Sequence, residues 1–376
     1  MAEFGDKIRY NVIGLMSGTS LDGVDAAILD TDGEVVFGFG ATHFRSYTQD
    51  ERQILSEATQ AALAWRFKGV APNIFARAER IIHTAHIEAV QAILQKADVR
   101  VDLIGFHGQT VLHQPPQDGK NGATLQLGNG QVLADALGID VVYDFRTHDV
   151  AQGGQGAPLA PLYHNALLQN EDMLRPVAVL NIGGVSNITL VDNDGIVYAS
   201  DCGPGNGPLD SWIEQKGLGD YDKDGVLSLA GTPDVGRVQK WLRADFFAKP
   251  VPKSADRWDF NVLDDMQGLS PEDGAATLVA YAAESIRHTL AQYGKTIATV
   301  IVCGGGRKNP AMLAALAEQS IGDILTTENV NWRGDDLEAE AFAYLAVRSV
   351  RAMPLSTPET TGVRKPVTGG QFAKAP

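Results

Sequence analysis

Two stretches of this chain, Arg9 to Phe37 and Val177 to Ser200, follow one plan: apolar run, glycine-rich turn, apolar run, Asp-Gly turn, apolar run. In the first, YNVIGLMSGTS precedes VDAAILDTDGEVVF; in the second, AVLNIGGVSN precedes ITLVDNDGIVYAS, so Thr31-Asp32-Gly33 matches Asn193-Asp194-Gly195. An Asp-Gly pair between alternating apolar runs is the chemistry of a β-hairpin turn. Nothing recurs at the roughly 20- to 50-residue periods of a solenoid. The plan therefore predicts a two-copy duplication, each copy opening a separate domain with a β-meander. At 376 residues the chain exceeds one ordinary core and suits two domains with a cleft between them.

After the first meander, Ile74, Ala78, Ile81, Ala85, Ala89 and Ile93 fall at spacings of three or four, which marks an amphipathic helix before the strand VDLIGFHG. Further on, Gly274 to Tyr293, then ATVIVCGGG, then Glu338 to Ala352 read helix, strand, helix. Such alternation builds a sheet covered on its faces, so the fold class is α/β. The boundary is expected between about 150 and 175, where GGQGAP loosens the chain. That places the domains at residues 1–160 and 161–376, with an irregular Pro- and Thr-rich tail from Pro354.

Composition narrows the function. Hydrophobic residues are 44% and charged residues 20%, a globular balance, and no run approaches the roughly 18 apolar residues of a membrane span. The first ten residues carry Glu3, Asp6, Lys7 and Arg9 and lack a signal peptide's apolar core, which predicts a cytoplasmic protein. Cys202 and Cys303 offer neither a disulfide framework nor metal-ligand spacing and read as packing residues. A net charge of -15 opposes any sequence-independent grip on a nucleic acid backbone.

Three glycine-rich loops carry the candidate chemistry. Ser17-Gly18-Thr19-Ser20-Leu21-Asp22-Gly23, running into Val24, offers hydroxyls and backbone N–H groups that could cradle a phosphate, and Asp22 could hold a hydrated magnesium ion. Ile182-Gly183-Gly184-Val185-Ser186-Asn187 occupies the matching place in the second copy, so the two loops are expected to face one nucleotide across the cleft. Gly304, Gly305 and Gly306, followed by Asn309, end a strand where a base or ribose could approach the backbone. Each loop taken alone also reads as an ordinary turn. Neither a Walker-type loop nor the protein-kinase set occurs, so the hairpin pair must take over the phosphate work. His107 and Gln109 sit at a strand end where they could reach the cleft, although a lone histidine also suits a structural place. Asp220 to Gly225 begins like a calcium loop, but Gly231 stands at the twelfth position, where the bidentate Glu belongs, which favours a polar turn.

The topology resembles the actin-like (ribonuclease H-like) superfamily of sugar kinases and ATPases. The wording is more specific: GLMSGTSLDGVD, FHGQT, LQLGNG, DFRTHDVAQGGQGAPL, LNIGGVSNIT, DCGPGNGPLDSW and VCGGGRKNP, in that order from residue 12 to about 370, resemble the anhydro-N-acetylmuramic acid kinase family. The resemblance implies ATP and Mg²⁺ as cofactors, transfer of the γ-phosphate to O6 of a 1,6-anhydro amino sugar, and hydrolytic opening of the bridge. It makes Asp201, of DCGPGN, the general base for the attacking water. It gives Arg146 a hold on the sugar, with Gly154 and Gln155 of GGQGAP beside it, and here Thr147 and His148 follow the arginine where relatives often carry more basic residues. It sets Glu338 near the metal with Asp22, with Glu340 as the competing choice. It also suggests a homodimer acting in peptidoglycan recycling on a small-molecule substrate, with no nucleic acid or membrane partner. Levoglucosan kinase, with the same motif set, is the rival within the class. An actin-like ATPase switch without sugar chemistry is the rival outside it.

Overall fold

The computed structural model describes residues 8–116 and 121–376. Strands β1 (Tyr10–Ser17), β2 (Gly23–Thr31) and β3 (Val36–Ser46) come first, then α1 (Gln49–Trp65), α2 (Ile74–Leu94), β4 (Leu103–Gln114), β5 (Ala123–Leu127), α3 (Gly130–Leu137), β6 (Val141–Tyr143), α4 (Thr147–Ala151) and α5 (Pro161–Leu168). A second set follows: β7 (Val177–Ile182), β8 (Val185–Val191), β9 (Val197–Pro204), α6 (Gly207–Gln215), α7 (Val226–Ala230), α8 (Val235–Trp241), α9 (Asp245–Ala248), α10 (Pro271–Gln292), β10 (Thr299–Cys303), α11 (Pro310–Glu318) and β11 (Asp323–Thr326). The chain closes with α12 (Leu337–Val350), α13 (Pro358–Thr361) and β12 (Gln371–Ala373).

The chain divides into two compact units. One runs to Glu171 and regains Asp336–Pro376; the other is Asp172–Asp335. The first sheet has the order β12-β6-β4-β1-β2-β3, with β5 on β4, and the second has β11-β10-β7-β8-β9. In both, the meander strands are antiparallel and the first of them is parallel to the strand that follows the helices. The shared order β6-β4-β1-β2-β3 and β11-β10-β7-β8-β9 is the duplication that the sequence echo predicts, and it gives each half the same α/β plan.

Local chemistry explains the elements. Asp32 Oδ1 accepts from the N–H groups of Glu34 and Val35, each at 2.8 Å, and Gly33 takes φ +84°, which turns β2 into β3. Thr48 and Glu51 form a reciprocal capping box that starts α1. On one face of the first sheet, Ile13, Leu15, Ala26 and Ile28 pack with Leu55, Ala58, Ile82 and Ala85 from α1 and α2. Gly14 alternates to the opposite face, where α12 lies so close that a Cβ would fall 1.7 Å from Ala339 O. In the second unit Leu180, Ile182 and Ile188 pack with Trp212, Tyr281 and Ile286.

Two expectations are corrected. The division after residue 160 gives way to an interrupted unit, because 161–171 and 336–376 pack with the first sheet. The tail is partly regular: α13 forms at Pro358–Thr361, and β12 pairs antiparallel with β6, Gln371 opposite Tyr143. Helical periodicity fixes which face of α12 is apolar but not which sheet it covers, and β12 is too short to register as a strand.

Candidate active-site residues in the two units

In the first unit the loop between β1 and β2 rests on a buried hydrogen-bonded base. Ser17 Oγ donates to Gln109 Oε1 at 2.6 Å and lies 3.0 Å from the Tyr47 hydroxyl, while Gln109 Nε2 donates to Gly18 O at 3.2 Å. Gln109 is 1% exposed, so it supports the loop and is closed to solvent, in contrast to the expected ligand contact. Above this base Thr19, Ser20 and Asp22 are exposed, and a Cβ on Gly18 would meet only Ser20 Oγ, at 3.6 Å. Leu21 takes φ +55°, and Asp22 Oδ1 accepts from Ser20 Oγ and Gly23 N. Two of the expected nucleotide residues belong to packing: Val24 is in the core, and a Cβ on Gly23 would strike Arg45 O at 2.4 Å.

Arg146 joins the FHGQT and GGQGAP segments of the same unit. Its Nε–H donates to His107 Nε2 at 2.9 Å and its Nη1–H donates to Gly156 O at 2.7 Å. His107 Nδ1 in turn lies 2.8 Å from Gly108 O, so with Nε2 accepting, Nδ1 carries the proton. Burial, reinforced by the nearby guanidinium, holds this imidazole well below its ordinary pKa. His107 is thus a neutral buttress for Arg146. The ladder makes the same point: Leu15 pairs with Phe106 and Ser17 with Gln109, so His107 and Gly108 oppose Met16 alone, a bulge that turns these side chains at the strand end.

A residue the motifs concealed, Asp149, holds the GGQGAP loop. It is 2% exposed and accepts from Gly156 N at 2.7 Å, Thr361 Oγ1 at 2.7 Å and Ser356 Oγ. A Cβ on Gly154 would lie 2.2 Å from Asp149 Oδ2, so Gly154 serves close approach to this carboxylate, while Gln155 N donates to Thr361 O at 2.7 Å. His148 Nδ1 lies 2.7 Å from Thr368 O, which ties α4 to the C-terminal segment. Of the two glutamates on α12, Glu340 is fully buried and accepts from the Tyr163 hydroxyl, whereas Glu338 is exposed. Among the described residues no group of three or more His, Cys, Asp or Glu forms a metal cage.

In the second unit the β7–β8 loop sits on the start of α6. Gly183 O accepts from Asn206 N at 2.7 Å, and Gly184 O accepts from Gly205 N and Gly207 N at 3.1 Å each. Gly205 needs its missing side chain, since a Cβ would come within 2.2 Å of Gly183 O; Gly184 has nothing within 4 Å of its own Cβ position. Asn187 lies opposite Asp201 across β8 and β9, where the register shifts so that Cys202 bulges. Asp201, 7% exposed, is clamped by a segment the sequence reading overlooked: its N–H donates to Lys253 O at 2.9 Å and its Oδ2 accepts from Ala255 N at 2.8 Å. Lys253 Nζ in turn donates to Phe246 O and Lys249 O and stands over the Phe246 ring; burial pushes its pKa down to about 8.

The third glycine run divides in role. Gly304 (φ +72°) and Gly306 are packing glycines against Asn181 and Ile182, and only Gly305 leaves room at its Cβ position, with Asn206 Nδ2 3.6 Å away. Asn309 Oδ1 caps α11 by accepting from Ala311 N and Met312 N, so its side chain is structural. Asp222 caps α7 through Leu227 N, Ser228 N and Ser228 Oγ, the polar turn expected there. Both cysteines are buried.

A family model described as anhydro-N-acetylmuramic acid kinase matches residues 10–375. Proteins named anhydro-N-acetylmuramic acid kinase from Phenylobacterium zucineum and Mesorhizobium japonicum are 45% and 46% identical to this chain over 366 and 367 residues, 96% of it in each case and 99% and 98% of theirs. Among solved structures, component A of (R)-2-hydroxyglutaryl-CoA dehydratase from Acidaminococcus fermentans aligns with a TM-score of 0.47 at 14% identity, covering 92% of this chain and 100% of that one.

Proposed function

The chain belongs to the anhydro-N-acetylmuramic acid kinase family, and on that premise we propose that it converts 1,6-anhydro-N-acetylmuramic acid, ATP and water to N-acetylmuramic acid 6-phosphate and ADP. It is an ATP-dependent sugar kinase, and the observation that carries the reading is identity near 45% over 96% of its length to kinases of that name. Its place would be the recycling of cell-wall sugar, in the cytoplasm and as a homodimer.

Water attacks the anomeric carbon, the C1–O6 bond breaks, and O6 takes the γ-phosphoryl group while ADP leaves. Phosphoryl transfer asks mainly for positioning and charge stabilisation, but the water needs a base. Asp201 suits that role, because the hydrogen bonds from Ala255 N to its Oδ2 and from its own N–H to Lys253 O fix the carboxylate beside a bulge. The exposed Thr19 and Ser20 hydroxyls and the open Gly18, Gly184 and Gly305 backbone are the candidate phosphate and nucleotide contacts. Asp22 and Glu338 would hold Mg²⁺ through water, and the ion would supply charge neutralisation at the phosphates. Arg146 would hold the lactyl carboxylate.

Mass spectrometry of products formed from Mg²⁺-ATP in ¹⁸O-water tests the reading. Muramic acid 6-phosphate carrying one ¹⁸O is expected; labelled glucose 6-phosphate from levoglucosan alone would move the assignment to levoglucosan kinase, and no phosphosugar would leave only the ATPase switch. Asp201→Asn should fold and bind ATP yet lose turnover by about 10²- to 10⁴-fold. Normal turnover in that variant would remove Asp201 as the base.

A further inference from the structure

Strand β9 ends the second sheet, so Asp201 sits on a sheet edge beside the bulge at Cys202, where the ladder alone does not fix a side chain. The segment that follows α9 takes the place of the missing neighbour. Lys253 O accepts from Asp201 N at 2.9 Å, Ala255 N donates to Asp201 Oδ2 at 2.8 Å, and Ser200 Oγ accepts from Lys253 N at 3.1 Å. Residues 253–255 thus form a strap along the edge, and whatever holds the strap also holds the carboxylate.

The anchor of the strap is an ammonium group. Lys253 is 4% exposed; its Nζ donates to Phe246 O at 3.2 Å and to Lys249 O at 3.3 Å, at the end of α9, and lies 4.6 Å from the centre of the Phe246 ring. The helix is itself fixed: Phe246 and Phe247 belong to the core, and His288 Nε2 and Gln292 Nε2 of α10 each lie 3.1 Å from Phe247 O. The ammonium therefore leaves water for neutral carbonyls and a ring, and burial pushes its pKa down to about 8. An apolar side chain would fill the same space without desolvating a charge, so the presence of a lysine is explained by what its N–H groups tie together. Resting on the reading of Asp201 as the base, we propose that Lys253 is a positioning residue for the reaction: its ammonium pins the strap to the end of α9 and so holds the Asp201 carboxylate in the geometry that takes a proton from water.

Steady-state kinetics on the full chain, below the melting temperature of each variant, tests this. Lys253→Met fills a similar volume without N–H donors and should lower kcat by about 10- to 100-fold while the KM values for sugar and ATP stay within about twofold. Lys253→Arg keeps a cation and its donors and should recover most of that loss. A lysine that serves stability alone would lower the melting temperature and leave kcat unchanged; that result, or equal losses in the two variants, overturns the proposal. Should Lys253→Met fail to fold, Ser200→Ala decides, since it removes the latch between β9 and the strap: kcat should fall by about 3-fold or more at unchanged KM, and a wild-type kcat overturns the role of the strap. Normal turnover in Asp201→Asn would remove the base reading and this inference together, whereas a crippled Asp201→Asn beside a fully active Lys253→Met removes this inference alone.

Discussion

Arg146 has two interior acceptors, His107 Nε2 and Gly156 O, so its guanidinium is part of the scaffold as well as a candidate sugar contact. Arg146→Ala is therefore expected to raise the sugar KM and also to lower stability by about 1–3 kcal/mol, because two partly buried acceptors lose their donors. Thermal melting beside kinetics checks both effects; a KM change with an unaltered melting temperature would show that the loop does not depend on these bonds. The other site residues divide similarly. Thr19 and Ser20 are exposed and Gly18 half-buried, whereas Gln109, Val24, Gly23, Gly306 and Asn309 are buried in support of the chain around them. Their residue types fit either role, and only burial and partners separate a ligand contact from the residue beneath it.

At the scale of elements, the seat of α12 is the most constrained contact of the first unit. Gly14 on β1 and Gly105 on β4 are register partners, and Cβ atoms there would come within 1.7 Å of Ala339 O and 2.1 Å of Phe342 O. Backbone thus lies on backbone, and α12 carries Ala339, Ala343 and Ala346 within its buried set. Gly14→Ala should destabilise by about 3 kcal/mol or more, since neither strand nor helix can yield without repacking. Urea denaturation checks it, and a midpoint equal to wild type would mean that α12 moves away at little cost. The same seat orients the two glutamates, leaving Glu338 exposed while Glu340 is buried against Tyr163. The resemblance favours Glu338 with Glu340 as the competing choice, and both fall in the first turn of the helix.

For the molecule as a whole, acid should act first through buried histidines of the first unit. Burial pushes His86 and His164 down to about 4 and, with Arg146 adding to it, holds His107 well below its usual value. The unfolded chain takes up these protons near pH ~6.5. Below that the unfolded state binds protons that the native state refuses, so stability falls as pH drops from about 6.5 toward about 4. Calorimetric melting at about pH 7.5 and pH 5 should show a lower melting temperature in acid, reduced in extent by His86→Phe; a flat profile would contradict the neutral, buried state of these rings. The sequence by itself determined the duplicated plan, the order of strands and helices, the two glycine-rich hairpins and the motif bearing Asp201, because turn chemistry, periodicity and local wording are properties of neighbours along the chain. Tertiary structure alone decided that Asp336–Pro376 returns to the first unit, and that Ala255 clamps Asp201 and Asp149 clamps the GGQGAP loop. Those depend on which distant segments share one buried volume, and no spacing between neighbours carries that information.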